Sequence, residues 1–218
     1  MIVVGFGRWG QRWVQNLKAD PNYEISGIMC RHSLNIESVY QQNNIIEQLF
    51  FTSIEEALEQ VSPDTALLVV PPEKHFSIAM QCMEAGLHIL SEKPLAVRMK
   101  EAFALCQSAR RYNRHFMVSQ DYRWQPPIQT LRNLILSRTI GEIGYITYHH
   151  FQAPHRGGWR EQMKQVLLED MAIHHFDILR YITGKDCVEV YADSYNPEWS
   201  WYSGGASVSA ILSFEQGF

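Results

Sequence analysis

The sequence predicts an α/β fold in two parts. A doubly wound parallel sheet comes first, and an α+β domain with an open, mainly antiparallel sheet follows. Three observations predict this. Strand-like apolar runs alternate with helical stretches throughout residues 1–119, the rhythm of a parallel sheet built by crossovers. One of those runs, Thr65-Ala66-Leu67-Leu68-Val69-Val70, is almost continuously apolar, as a strand covered on both faces should be. After about Ser119 the rhythm changes to a helix, an alternating strand, a long helix and two further strands, the order of an α+β domain with an antiparallel sheet. The expected domains are therefore residues 1–119 and 120–218.

Each element has its own signal. Met1-Ile2-Val3-Val4 is an apolar strand that runs into Gly5-Phe6-Gly7-Arg8-Trp9-Gly10, and a helix follows over about Gln11–Lys18, ended by Asp20-Pro21-Asn22. Tyr23–Cys30 reads as a second strand. Thr52-Ser53 caps a helix whose first turn carries Glu55 and Glu56, on the side the helix dipole favours, and which runs to about Val61. Residues 45–50 carry no decisive pattern. Pro71-Pro72 ends the Thr65–Val70 strand, His75–Ala85 is helical, and Gly86 suits the position just past a helix. Leu87–Leu90 is a short strand, Lys100–Asn113 a helix and His115–Ser119 a strand. In the second part, Pro127–Ser137 is a helix, Tyr145–Gln152 alternates like a strand, and residues 153–160 form a loop with Gly157-Gly158. Val166–Thr183 is a long helix ended by Gly184, and Val188–Tyr195 and Ala206–Phe214 are strands.

Composition narrows the function. With 46% hydrophobic and 19% charged residues, the 218-residue chain can bury a core and is not disordered. The net charge is −4 and no long basic run occurs, so nothing favours a nucleic-acid partner. The cluster Arg110-Arg111-Tyr112-Asn113-Arg114 reads as a solvated helix end. No apolar run is long enough to span a membrane, and no basic segment followed by an apolar stretch opens the chain. Cys30, Cys82, Cys106 and Cys187 are dispersed and form no CxxC pair, which argues against a disulfide framework or zinc ribbon. A reducing cytoplasm is the expected location.

The glycine loop points to a cofactor. Gly5-x-Gly7-x-x-Gly10 follows a strand and opens a helix, the context in which this spacing lets the backbone approach a pyrophosphate held at the helix N-terminus. Gly5, Phe6, Gly7, Arg8, Trp9 and Gly10 are therefore expected cofactor contacts. At the end of the second strand, an acidic residue ordinarily receives the ribose 2′-hydroxyl. Here the sequence reads Cys30-Arg31-His32-Ser33. Arg31 and Ser33 suit a 2′-phosphate instead, so NADP is expected in preference to NAD, with Cys30 beside it.

Two further groups carry chemistry. Ser91-Glu92-Lys93-Pro94 follows the Leu87–Leu90 strand and places Lys93 at a strand's carboxyl end, where open α/β sheets bind ligands. Proline fixes its own φ and biases Lys93 toward extended backbone. On the long helix, Asp170, His174 and Asp177 fall on one stripe. That stripe admits three readings: a general base His174 with its tautomer fixed by Asp170 or Asp177, a metal site, or a solvated helix face. His149 and His150 are adjacent on the alternating segment and face opposite ways. Tyr122, Arg123 and Trp124 sit at the domain junction, as cleft lining or as packing.

Taken in order, the glycine loop, the Val70-Pro71 break with His75, Glu84-Ala85-Gly86 through Glu92-Lys93-Pro94, and Asp170-x-x-x-His174-x-x-Asp177 resemble the Gfo/Idh/MocA oxidoreductases. The resemblance covers essentially the whole chain. It implies a Rossmann domain followed by an α+β domain whose open sheet supports homo-oligomers. It also implies reversible hydride transfer between a nicotinamide and a secondary alcohol of a sugar or cyclic polyol. Lys93 matches the family's catalytic lysine, and Asp170 and His174 match its acid–histidine pair. Val70, Pro71, His75, Glu92, Lys93 and Pro94 join the glycine loop as expected cofactor contacts. No metal is implied. Ala172 departs from a glycine common inside the Asp…His segment. The chain reaches Phe218 on what reads as an opening hairpin turn, where family members continue, so the second domain is expected to be incomplete. A non-catalytic dinucleotide sensor or scaffold is the alternative from another class, and a biliverdin-reductase-like activity the enzymatic one; intact Lys93 and His174 favour alcohol chemistry.

Overall fold

A computed structural model describes residues 1–30, 49–152, 155 and 157–217. The chain forms two compact units, Met1–Ser119 and Gln120–Phe218.

The first unit holds a six-stranded parallel sheet. In chain order its elements are β1 (Ile2–Val4), α1 (Arg8–Ala19), β2 (Gly27–Met29), β3 (Phe50–Phe51), α2 (Ile54–Gln60), β4 (Thr65–Leu68), α3 (Pro72–Glu84), β5 (His88–Ser91), α4 (Met99–Arg111) and β6 (Phe116–Val118). The strand order is β3-β2-β1-β4-β5-β6, and every pairing is parallel. β1 is central, and all three of its residues are buried. Successive side chains point to opposite faces, which builds two cores. Ile2 and Val4 join Ala66, Leu68, Ala79, Met83 and Leu105 on one face. Val3 and Leu67 join Phe6, Val14, Leu17 and Ile28 on the other. This two-sided burial explains why β1 and β4 read as unbroken apolar runs.

Local chemistry sets the ends. The Ser53 hydroxyl accepts a hydrogen bond from the Glu56 amide at the start of α2, and the Glu56 carboxylate accepts one from the Thr52 amide. Pro72 stands in the first turn of α3, where its missing N–H costs nothing. The sheet order reverses between β1 and β4, so the crevice outside the carboxyl ends of these strands is the ligand position of a doubly wound sheet.

The second unit opens with a 3₁₀ turn, Asp121–Trp124, and α5 (Pro126–Leu136). A second 3₁₀ turn spans Gly158–Gln162. The expected helix from Val166 divides into a π-helical turn, Leu167–Ala172, and α6 (Ile173–Thr183). Gly184, at φ 67°, ends α6 in the left-handed region that glycine tolerates. β7 (Cys187–Tyr195) and β8 (Ser207–Phe214) pair antiparallel. The expected strand at residues 145–152 is absent. That segment joins no ladder among the described residues, so its alternation is not converted into backbone pairing. No helix among the described residues is long and apolar enough to cross a membrane.

Candidate active site

In the first unit, the candidate residues gather at the carboxyl edge of the sheet. Gly5 leaves β1 at φ 103°, and a Cβ there would overlap the Val69 carbonyl oxygen at the end of β4. Gly7 caps α1, and a Cβ on it would meet no protein atom within 4 Å. Gly10 lies in the first turn of α1, where a Cβ would overlap the Gly5 carbonyl oxygen. Gly5 and Gly10 thus let strand and helix close on each other, and Gly7 leaves the helix N-terminus open. That open N-terminus, with its amide donors, fits a pyrophosphate. Arg8 and Trp9 stand exposed in the first turn, and the Arg12 guanidinium lies 5.3 Å from the Trp9 ring. Phe6 differs from expectation in its side chain. The ring is buried and packs edge-to-face on Phe50 at 5.4 Å, so only its backbone belongs to the loop. The Cys30 amide donates to the Phe51 carbonyl at the end of β2. Arg31 and Ser33 lie outside the described residues.

These glycines define a test. Gly10→Ala must push backbone against backbone, an overpacking that costs about 1–3 kcal/mol. Gly7→Ala has room and an ordinary φ of −71°. The expected outcome is a lowered melting temperature for Gly10→Ala only, with dinucleotide affinity reduced in both, as read by calorimetric titration.

Val70 and Pro71 close β4, and Pro71 caps α3. Ser91 to Pro94 close β5, with a cis peptide between Lys93 and Pro94. The Glu92 carboxylate accepts hydrogen bonds from the Trp13 indole N–H at 2.7 Å and the Lys93 amide at 3.3 Å. His75 is 0% exposed, with Nδ1 2.7 Å from the Pro94 carbonyl oxygen and Nε2 3.0 Å from that of Val70. Its ring therefore holds backbone together beneath the loops and has no surface to offer a cofactor, contrary to its expected contact role. Nothing in a side-chain pattern signals a histidine whose partners are carbonyl groups.

In the second unit, Asp170 of the expected stripe engages the 3₁₀ turn Gly158–Gln162, whereas His174 and Asp177 both engage the turn Asp121–Trp124. Asp170 is 4% exposed in the π turn, and Arg160 Nε donates to its carboxylate at 2.8 Å. His174 is 5% exposed; Tyr122 stacks on it at 4.2 Å and 13°, and its Nδ1 lies 3.8 Å from the Asp121 carboxylate. Asp177 takes a two-pronged hydrogen bond from Arg123, whose guanidinium this raises above its ordinary range. The solvated-face reading fails for Asp170 and His174, which are buried. Among the described residues no group of three His, Cys, Asp or Glu is arranged to hold a metal ion.

Beside His174, His175 is 7% exposed and faces His150 at 4.4 Å and Tyr148 at 4.7 Å. Neither His175 Nε2 nor His150 Nε2 has a hydrogen-bond partner among the described residues. Burial, then the neighbouring His150 and His174, pushes His175 down from an ordinary 6.5 to about 4. The unfolded chain therefore binds more protons than the folded one between those values. Stability is full above pH 6.5 and falls toward pH 4, by about 2–3 kcal/mol from this group. Chemical denaturation at pH 7.5 and pH 4.5 is expected to show that loss in the wild type and a smaller one in His175→Gln.

The doubly wound sheet with its open glycine loop defines a dinucleotide-binding domain of the Rossmann type. Residues 1–120 match the oxidoreductase family with an NAD-binding Rossmann fold, and residues 128–218 match the GFO/IDH/MocA C-terminal domain. The chain belongs to this Gfo/Idh/MocA oxidoreductase family. It is similar to the uncharacterized protein y4oX of Sinorhizobium fredii, 28% identical over 100% of this chain and 62% of that protein. An inositol 2-dehydrogenase of Corynebacterium glutamicum is 29% identical over 64% of this chain and 41% of its own. The crystal structure of an NAD-binding protein from Listeria innocua shares the fold, with a TM-score of 0.84 and 24% identity over 99% of this chain and 63% of that one. The chain thus spans less than two thirds of the length of these proteins.

Proposed function

We propose that this protein transfers hydride reversibly between a nicotinamide dinucleotide and a secondary alcohol or ketone of a sugar or cyclic polyol. The observation that carries the reading is the placement of Lys93. It closes β5 on the same sheet edge as the open glycine loop and the Val70-Pro71 end of β4. The family and the inositol 2-dehydrogenase relative support the substrate class.

The nicotinamide supplies the hydride acceptor in oxidation and the donor in reduction. The backbone of Gly5 to Gly10 would hold the pyrophosphate at the N-terminus of α1. Lys93 donates a hydrogen bond to the substrate oxygen and stabilises the negative charge that develops there. His174 takes the hydroxyl proton as the C–H bond gives up its hydride, and returns it in reduction. Asp170 orients substrate or His174. NADP is preferred because the sequence carries Arg31 and Ser33 just after the second strand, where an acid ordinarily binds the ribose. The open sheet of the second unit serves self-association.

The test is a turnover panel of inositols, sugars and their keto forms, followed by nicotinamide absorbance with NADP and with NAD, beside calorimetric titration of each dinucleotide. Turnover of a polyol or sugar, with NADP bound more tightly, is the expected result. Equal affinity removes the NADP preference. Tight binding without turnover of any alcohol or ketone replaces the enzyme reading with a dinucleotide sensor.

A further inference from the structure

Lys93 has no secondary structure of its own, yet the proposed chemistry needs its amine placed to within a fraction of an ångström. The structure shows what restrains its neighbours. On its N-terminal side, the Glu92 amide extends the sheet by donating to the Leu68 carbonyl at 2.9 Å. The Glu92 carboxylate is then fixed by Trp13, 79 residues away on the helix that the glycine loop opens. On its C-terminal side, Pro94 is bonded through its carbonyl oxygen to the buried His75. The second nitrogen of His75 faces Val70, two residues past the neighbouring strand β4.

We propose that His75 and Trp13 are positioning residues for Lys93, fixing Pro94 and Glu92 on either side of it to the cofactor edge of the sheet. This rests on the reading of Lys93 as the group that contacts substrate. His75 acts through Nδ1–H, which donates to Pro94 over the shorter of its two contacts. Trp13 couples the loop to α1, so the helix that holds the pyrophosphate also holds the lysine's neighbour. Neither side chain touches substrate. His75 is wholly buried, and the Trp13 N–H is occupied by Glu92.

The design uses the two amides that each mimic one nitrogen of histidine. Asparagine places its N–H₂ near Nδ1 and keeps the Pro94 tie, whereas glutamine reaches toward the Nε2 position beside Val70 and loses the Pro94 tie. Trp13→Phe keeps a ring and removes the donor. Two readouts are taken: amide hydrogen exchange across Ser91–Ala96, and kcat against KM for dinucleotide. Loss of one buried hydrogen bond is worth about a tenfold change in local opening. His75→Gln and Trp13→Phe are each expected to speed exchange in this segment about tenfold and to lower kcat by a similar factor. The dinucleotide KM should stay within about threefold, and His75→Asn should restore both readouts. Equal exchange and equal kcat in folded His75→Asn and His75→Gln overturn the His75 role, and unchanged exchange in Trp13→Phe overturns that of Trp13. If neither His75 variant folds, Trp13→Phe alone decides. A wild-type protein without turnover removes the proposed function and leaves the exchange comparison standing.

Discussion

Replacing Lys93 with alanine is expected to slow hydride transfer at least a hundredfold while dinucleotide affinity stays within about threefold. The size follows from what the amine does in the proposed reaction. A preorganised donor aimed at a developing oxyanion contributes about a hundredfold to a thousandfold in rate, because it is stronger in the transition state than in the ground state. The small effect on cofactor follows from the architecture. In the proposed reading the backbone of the Gly5–Gly10 loop and the N-terminus of α1 hold the pyrophosphate, and Lys93 lies at the end of a different strand. Its neighbours remain held by Trp13 and His75 after the side chain is gone. Lys93→Arg is expected to rescue little, since a planar fork does not replace a compact ammonium. Single-turnover absorbance at saturating dinucleotide measures the step directly. His174→Ala is expected to cost a similar factor, as the usual worth of a general base. The double variant should fall far short of the product of the two, because groups serving one transition state are not additive. Wild-type rates in both single variants would remove the assignment.

Much of this was legible in residue order, for identifiable reasons. β1 and β4 are covered on both faces, and that condition forces an unbroken apolar run. Gly5 and Gly10 sit where a side chain would collide with backbone, so no other residue closes the same turn, and the spacing reads directly as geometry. The Glu92-Lys93-Pro94 motif marks the end of a strand because proline stops a ladder. What stayed hidden depends on contacts between distant residues. The Trp13–Glu92 bond joins side chains whose sequence contexts give no hint of each other. The alternation of residues 145–152 satisfies one requirement of a strand, but pairing needs a neighbour, which alternation does not specify. The stripe of Asp170, His174 and Asp177 assumed regular α-helical spacing. The π turn at Leu167–Ala172 inserts extra residue length just where Asp170 lies, and such turns recur at functional sites.

Asp170 carries the second large effect, on stability as well as rate. Its carboxylate is almost wholly buried against the Arg160 guanidinium, whose side chain is only 17% exposed. Asp170→Leu removes the carboxylate and leaves a largely buried positive charge, which costs about 3–5 kcal/mol. Arg160→Met removes the guanidinium from the buried carboxylate and is expected to destabilise as well. Replacing both together removes charge and counter-charge, and two well-packed apolar side chains restore most of the loss. The double-mutant cycle, read by chemical denaturation, should therefore show a coupling of about 2 kcal/mol or more. Activity then separates two roles that stability alone confounds. If Asp170 only anchors the π turn, the stable Arg160→Met/Asp170→Leu protein regains wild-type kcat. If Asp170 orients substrate or His174, as proposed, the double variant folds normally and still turns over at least tenfold more slowly, the lower range for losing a group that positions a general base. Recovery of stability without recovery of rate is the expected result, and it places the carboxylate in the chemistry as well as in the fold.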